Sequence, residues 1–423
     1  MTFSRSMYDI IAGLSILNFA RVLCMLIGSD IYDMVQIVRK KNRATRRPYR
    51  PQITIVIPAY NEEMGVIRTV RSVLANTYKN KQVIVVNDGS KDRTTQMLRN
   101  YQRKHKGQFI VVNQANAGKA AAINRAVRYW ATGKLVMVVD ADSLLHPTAI
   151  ENMVAHFRDR RVIAAAANVK IIPTRKMLGV AQRFEYLISY RMKRALTVFN
   201  MEYIVGGVGS TFRRSVLLKT GLYDTDTMTE DIDLTVKLIR QYGNKKYHIH
   251  YAADVLAHTE HVLRFRSLIK QRFRWKYGRF QTLLKNTELF FSKSKKYDKR
   301  LTWYQLPYAI VGEIVLLLEP ILVGYILFVV LRFADLTSLI SVYIIVTSFI
   351  FLMLLGEETE SFRTKMGLAL LLPVTYILMY VLTAVEFAAL IKSVRQAPQL
   401  FRREMAESSW EHVERSGEPV SIA

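Results

Sequence analysis

An α/β domain with a mostly parallel central sheet, joined through basic interfacial helices to a bundle of transmembrane helices, is the architecture this sequence predicts. Three observations lead to it. Residues 53–172 alternate short Val- and Ile-rich stretches with helical patterns, the rhythm of βαβ units covered by helices. Long apolar runs gather after residue 303 and near the N-terminus. Basic residues cluster beside those runs. The 423 residues and 50% hydrophobic content leave room for two or three domains. A formal net charge of +27 would suggest nucleic acid in a soluble protein, but cations beside spans suit an anionic inner leaflet and do not form a compact reader module. The single cysteine, Cys24, excludes an intramolecular disulfide framework.

Tyr8 to Gly28 is apolar and long enough to span, with Arg21 inside it, and predicts a membrane anchor. Arg39, Lys40, Lys41, Arg43, Arg46, Arg47 and Arg50 follow. Positive charge next to a span marks the cytoplasmic side, so the N-terminus is expected outside and the α/β domain inside. Strands are expected over 53–57, 82–86, 109–112, 135–139 and 162–166, with helices near 62–76, 92–104, 118–131 and 147–158. A long helix over 177–199 precedes mixed short elements over 202–260. Residues 262–284 read as an amphipathic helix that interleaves Arg264, Arg266, Lys270, Arg272, Arg274, Lys276 and Arg279 with aromatics. Such a helix suits the membrane surface, cations toward lipid phosphate, although a solvated helix would carry the same pattern.

Three apolar segments, 304–331, 337–355 and 366–391, can each cross about 30 Å of hydrocarbon. One span before the domain and three after it put the C-terminus outside, against the basic tail residues Lys392, Arg395, Arg402 and Arg403. Glu313, Glu319 and Glu386 fall inside the apolar runs, where an ionisable group needs a partner or a water-filled path. Arg21 is expected to pair with one of them.

The chemistry concentrates where strands end. Lys134 to Ser143 is a buried-strand pattern closed by Asp140 and Asp142, and ligands of open α/β sheets bind at that edge. Two carboxylates one residue apart suit Mg²⁺ or Mn²⁺ holding a phosphate, although an Asp-rich turn would look alike. The strand from Ile53 leads into Pro58, Tyr60 and Glu62, a loop that can present backbone to a planar base. The next strand ends in Asp88 and Gly89; Asp88 can accept from a base N–H or a ribose hydroxyl, or cap a helix. Gly118 and Lys119 open another helix, an arrangement that favours phosphate. Thr229-Glu230-Asp231 reads either as an acidic first turn of a helix or as a general base in the crevice. In Gln271-Arg272-Phe273-Arg274-Trp275, Arg274 can fork onto a diphosphate and Trp275 can stack on a sugar.

In this order, Asp88, Asp140-Ala-Asp142, Thr229-Glu230-Asp231 and Gln271 to Trp275 resemble the four signatures of the family 2 glycosyltransferases. Within them, the resemblance is to the membrane-integrated processive synthases of β-linked polysaccharides. It covers about residues 50–285 in detail. It implies a nucleotide-sugar-binding fold of the GT-A type and inverting transfer from a UDP-α-sugar. On that template Asp88 contacts uridine, Asp140 and Asp142 serve ribose and metal, and Asp231 is the base. Glu230 and Gln271 belong to the substrate-binding signatures, and Arg274 and Trp275 hold diphosphate and acceptor sugar.

Met228 to Asp233 looks more like the poly-N-acetylglucosamine and cellulose synthases than the hyaluronan synthases. Two departures stand near the expected donor and acceptor sites: Ala167-Asn168-Val169-Lys170 replaces a usual Gly-Asn-Pro-Arg, and Lys276-Tyr277 replaces Ala-Gln. The expected protein is therefore a metal-dependent synthase using UDP-GlcNAc and a growing polysaccharide acceptor in a lipid bilayer, without nucleic acid. A single-addition enzyme acting on a lipid, or a synthase of another β-glycan, is the alternative. Its expected parts are an anchor (1–38), a cytoplasmic GT-A domain (39–260), interfacial helices (261–302), spans (303–392) and a polar tail (393–423).

Overall fold

The computed structural model describes residues 2–44, 48–333, 336–357 and 359–401. Arg46, Arg47, Arg402 and Arg403, named above for topology, lie outside the described residues. The chain begins with α1 (Thr2–Ala44), so the expected anchor runs without a break into the basic stretch. The α/β domain then follows as β1 (Ile53–Ala59), α2 (Val66–Leu74), β2 (Lys81–Asp88), α3 (Thr94–Lys104), β3 (Ile110–Gln114), α4 (Lys119–Tyr129), β4 (Leu135–Val138), β5 (Ser143–Leu145), α5 (Ala149–His156), β6 (Val162–Ile171), α6 (Met177–Val198), β7 (Ser210–Arg213), α7 (Arg214–Thr220), α8 (Glu230–Tyr242) and β8 (His248–Thr259). After it come α9 (Phe265–Lys285), a π-helical turn over Arg300–Gln305 that leads into α10 (Leu306–Phe333), then α11 (Leu336–Leu355), α12 (Phe362–Leu370) and α13 (Leu372–Phe401).

Among the described residues eight strands form one sheet in the order β3-β2-β1-β4-β7-β6-β8-β5. The first four neighbours are parallel, as the βαβ rhythm predicts. Beyond β4 two strands are reversed: β7 runs antiparallel to both β4 and β6, and β5 antiparallel to β8, while β6 and β8 are parallel, so most strands still share one direction. The sheet is mixed. Gly209, at φ +69°, turns the chain back, and its N–H donates to Val138 O (2.8 Å), so β7 enters beside β4 from the opposite direction.

Strand alternation divides the core between the two faces. Ile53, Ile55 and Ile57 pack with Val66, Val70 and Val73 of α2 and Ile150, Met153 and Val154 of α5. Val56, Ile84 and Val86 face the other way, onto Ala122, Ile123 and Val127 of α4 and Leu234, Leu238 and Ile239 of α8. Tyr32 of α1 joins this second core and donates its hydroxyl to Tyr251 O at 2.7 Å.

Among the described residues two helices, Arg300–Arg332 and Leu372–Pro398, are long and apolar enough to cross a membrane. The segment expected over 366–391 is divided: α12 ends at Leu370, and α13 restarts at Leu372 with Pro373 in its first turn. Arg21 does not meet Glu313 or Glu386; its guanidinium lies over the Tyr308 ring, 4.3 Å from the centroid. Glu386 instead pairs with Arg272 (3.2 Å) and Lys276 (2.7 Å), and Glu313 with Lys276 (2.9 Å) and Arg279. Thus α9 turns Arg272 and Lys276, both buried, toward carboxylates of the protein rather than toward lipid phosphate.

Candidate active site

The carboxyl ends of β1, β2 and β4 gather the first part of the site. After β1 the chain turns at Asn61, which holds φ +54°, a conformation asparagine tolerates. Asn61 N–H donates to Ser90 Oγ (3.0 Å), Asn61 Oδ1 accepts from Lys91 N–H (2.8 Å), and Glu62 N–H donates to Thr94 Oγ1 (2.8 Å). The loop of Pro58, Tyr60 and Glu62 is therefore laced to the loop after β2.

Asp88 is fully buried at the end of β2. Its carboxylate accepts from Gln114 Nε2 (2.7 Å), Ala117 N–H (3.0 Å) and Gly118 N–H (2.9 Å). Gly118, at φ +89°, is the entry to α4, so Asp88 shapes the turn that presents Lys119.

Lys119 is the centre of the constellation. Its Nζ lies 2.7 Å from Asp140 Oδ1 and 3.2 Å from Glu230 Oε1, which draws together the start of α4, the end of β4 and the start of α8. Gly207 leaves this space open: a Cβ there would stand 3.0 Å from Lys119 Nζ and 3.3 Å from Asp140 Oδ2. Asp142 follows in the same turn, its Oδ1 accepting from Ser143 Oγ at 2.9 Å. The turn is fixed from behind by α2, where Thr69 donates to Ala141 O at 2.7 Å.

Burial, and then the neighbouring Glu230 charge, push the Asp231 carboxyl up to about 6, although Lys119 pulls the other way. Burial would also raise Glu230, but Lys119 and Arg274 outweigh it and hold that carboxyl below its ordinary range. For Lys119, burial is outweighed by Asp140, Glu230 and Asp231, and the ammonium is firmly charged. Two adjacent carboxylates thus carry different proton affinities, the pattern expected where one serves as a base and its neighbour as a fixed charge.

Helix α9 packs directly on this segment. Gly278 sits against Thr229, where a Cβ would lie 2.8 Å from the Thr229 nitrogen, and Gln281 Oε1 accepts from Met228 N–H at 2.9 Å. Arg274, one turn before Gly278, makes its charge felt at Glu230. Gln271 and Trp275 flank Arg274 on the same helix. Gln271 is buried, and the Trp275 ring lies 4.4 Å under the Arg272 guanidinium, which Glu185 holds at 2.6 Å.

The two departures noted in the sequence are drawn into other work. Asn168 donates to Ala253 O (3.1 Å) beside a register shift between β6 and β8, and Lys170 pairs with Glu360 at 2.9 Å. One cluster lay unread in the sequence: Asp224, Asp226 and Asp233 stand within 4.8 Å of one another around Lys285. The signal available was their spacing on either side of Thr229-Glu230-Asp231.

Residues 54–221 match the model described as glycosyl transferase family 2. These residues are a family 2 glycosyl transferase domain. The chain is similar to the poly-β-1,6-N-acetyl-D-glucosamine synthase of Staphylococcus aureus strain COL, 34% identical over 259 residues, 60% of each protein. It is 31% identical over 264 residues to the Staphylococcus epidermidis protein of the same name, covering 62% of this chain and 61% of that one. The chain thus spans about three fifths of the length of these relatives. A mannosyltransferase from Pyrobaculum calidifontis, solved with GDP-Man and Mn²⁺, superposes with a TM-score of 0.52 at 21% identity, covering 88% of this chain and 97% of that one. The family 2 domain therefore has a GT-A-like fold on a mixed sheet.

Proposed function

We propose that this protein transfers N-acetylglucosamine from UDP-GlcNAc, with inversion, onto a growing β-linked polysaccharide at the cytoplasmic face of a membrane, and passes the polymer through its own spans. The observation that carries the proposal is the meeting of Lys119, Asp140 and Glu230, with Asp231 beside them, at the edge of the sheet where α/β folds take ligands. The synthase relatives supply the sugar and the polymer.

In this reading Asp231 takes the proton from the acceptor hydroxyl as its oxygen attacks the anomeric carbon in line and UDP departs. Glu230 stays ionised beside it and keeps Lys119 in place. Arg274 meets the donor diphosphate from α9 as charge accumulates on the leaving oxygen. Pro58, Tyr60 and Glu62 line the base, and Asp88 orders the loop that closes it. Gln271 and Trp275 support the acceptor from α9.

Asp140 and Asp142 would hold a divalent cation, Mg²⁺ or Mn²⁺. Their hard oxygen donors suit it, Asp140 already holds one cation in the Lys119 ammonium, and Gly207 leaves the space above it clear. Bound there, the ion would neutralise charge on the departing diphosphate. The proposed division of the chain is a cytoplasmic catalytic domain between the α1 anchor and helices α10–α13, with α9 between domain and membrane.

The test offers labelled UDP-GlcNAc, UDP-glucose and UDP-glucuronate separately to membranes carrying the protein. High-molecular-weight product from UDP-GlcNAc, degraded by a hydrolase specific for β-1,6-linked N-acetylglucosamine, is the expected result. A single sugar on lipid, or polymer from another donor alone, overturns the assignment.

A further inference from the structure

The face of α9 that meets the Met228–Asp233 segment is a stripe of residues three and four apart: Arg274, Gly278, Gln281 and Lys285. Arg274 acts electrostatically on Glu230, Gly278 abuts Thr229, and Gln281 holds the Met228 amide. Lys285 ends the stripe in a nest of carboxylates. Its Nζ is 2.7 Å from Asp224 Oδ2, 2.9 Å from Asp226 Oδ1 and 3.2 Å from Asp233 Oδ2. Asp224 also takes Lys237 Nζ, from α8 itself, at 2.5 Å. Asp233 is completely buried in the first turn of α8, two residues beyond Asp231, and its N–H donates to Thr229 O at 3.1 Å.

Three carboxylates this close repel one another unless a cation stands among them. Here an ammonium of the chain itself occupies the place that a metal ion could take. It joins the loop before α8, the first turn of α8 and the last turn of α9 at one point. The geometry points to Lys285 as a positioning residue: an internal cation that locks Asp224, Asp226 and Asp233 together and so fixes the turn from which Asp231 enters the cleft. This rests on the reading of Asp231 as the base. Without the lock the α8 terminus loosens, and a displacement of about 1 Å at a reacting group costs roughly a hundredfold in rate.

The experiment measures kcat and donor KM for wild type, Lys285→Met and Lys285→Arg, each matched for folded protein by its melting curve. Expected are a fall in kcat of at least about tenfold for Lys285→Met, donor KM within about twofold, and recovery of most of kcat in Lys285→Arg. The inference is overturned by an unchanged kcat in Lys285→Met, by kcat and KM worsening together, or by no recovery in Lys285→Arg. If Lys285→Met does not accumulate folded, Asp226→Asn is measured instead, since it weakens the same lock while sparing Asp233; a lowered kcat at constant KM supports the inference and an unchanged kcat overturns it. A wild-type protein that turns over no nucleotide sugar removes the proposed function itself, whereas an active wild type with an indifferent Lys285 removes only this inference.

Discussion

At the scale of single residues, the site is a contest between burial and charge that comes out differently for two neighbours. Asp231 is held up to about 6 by burial and by Glu230, while Lys119 and Arg274 keep Glu230 ionised. A base acts only when deprotonated, so kcat should climb with pH through about 6 and level off above it. Asp231→Asn should lower kcat by about a hundredfold or more while leaving UDP binding, measured by calorimetry, nearly intact. Near-normal turnover, or loss of UDP binding, contradicts the role. Asp142→Ala should instead weaken donor binding at limiting Mn²⁺ and shift the metal titration to higher concentration. An unaltered titration rejects Asp142 as a ligand. Lys119, Asp140, Glu230 and Asp231 were legible in the sequence because strand ends and a Gly-Lys helix start carry their own local signals. The internal engagement of Asp88 was not, since its donors arrive from the end of β3 and the loop before α4, 26 to 30 residues on.

At the scale of elements, the sequence revealed the parallel half of the sheet and concealed the rest. Strands β1, β2 and β4 are largely buried on both faces and read as continuous apolar runs, and the edge strand β3 follows with the short run Ile110 to Val112. Strand β8 sets His248, His250, Asp254 and His258 on its less buried face, so it lacks the continuous apolar run of the inner strands; β5 and β7 are three and four residues long. Pairing with distant strands makes these into structure. Nor did the sequence indicate what holds α1 to the domain. Arg194 of α6, 1% exposed, grips Asp33 of α1 at 2.8 Å and Glu357, in the turn between α11 and α12, at 2.9 Å. Arg191, one turn earlier, takes Asp30, Asp33 and the Gly356 carbonyl. Arg194→Met removes one of two cations from Asp33, which keeps Arg191, and from buried Glu357, which keeps Lys170 at 3.5 Å, and should cost about 1–3 kcal/mol, read as a lowered melting temperature in detergent. Adding Asp33→Asn and Glu357→Gln to that variant should restore part of the loss, and no recovery would mean that Arg194 contributes packing rather than charge.

At the scale of the whole molecule, the seam between the family 2 domain and the apolar helices is a neutral set of six charges. Arg272, Lys276 and Arg279 of α9 face Glu185 of α6, Glu313 of α10 and Glu386 of α13. This accounts for Glu313 and Glu386 in otherwise apolar helices: each answers a cation delivered by α9. It also sets a counter-intuitive expectation. Lys276→Met leaves Glu313 and Glu386 each with one arginine, and Glu386→Gln leaves Lys276 sharing Glu313 with Arg279. Removing Lys276 and Glu386 together leaves two separate pairs, Arg272 with Glu185 and Arg279 with Glu313. Breaking a buried pair strands a charge, whereas deleting both partners at once can be nearly neutral. The double variant Lys276→Met with Glu386→Gln should therefore melt in detergent above either single variant, with a coupling of about 1–3 kcal/mol in the double-mutant cycle. Additive losses would show that these six groups do not act as a set, and that α9 is fixed to the apolar helices by contacts such as Phe273 and Tyr277 on Ala389 instead.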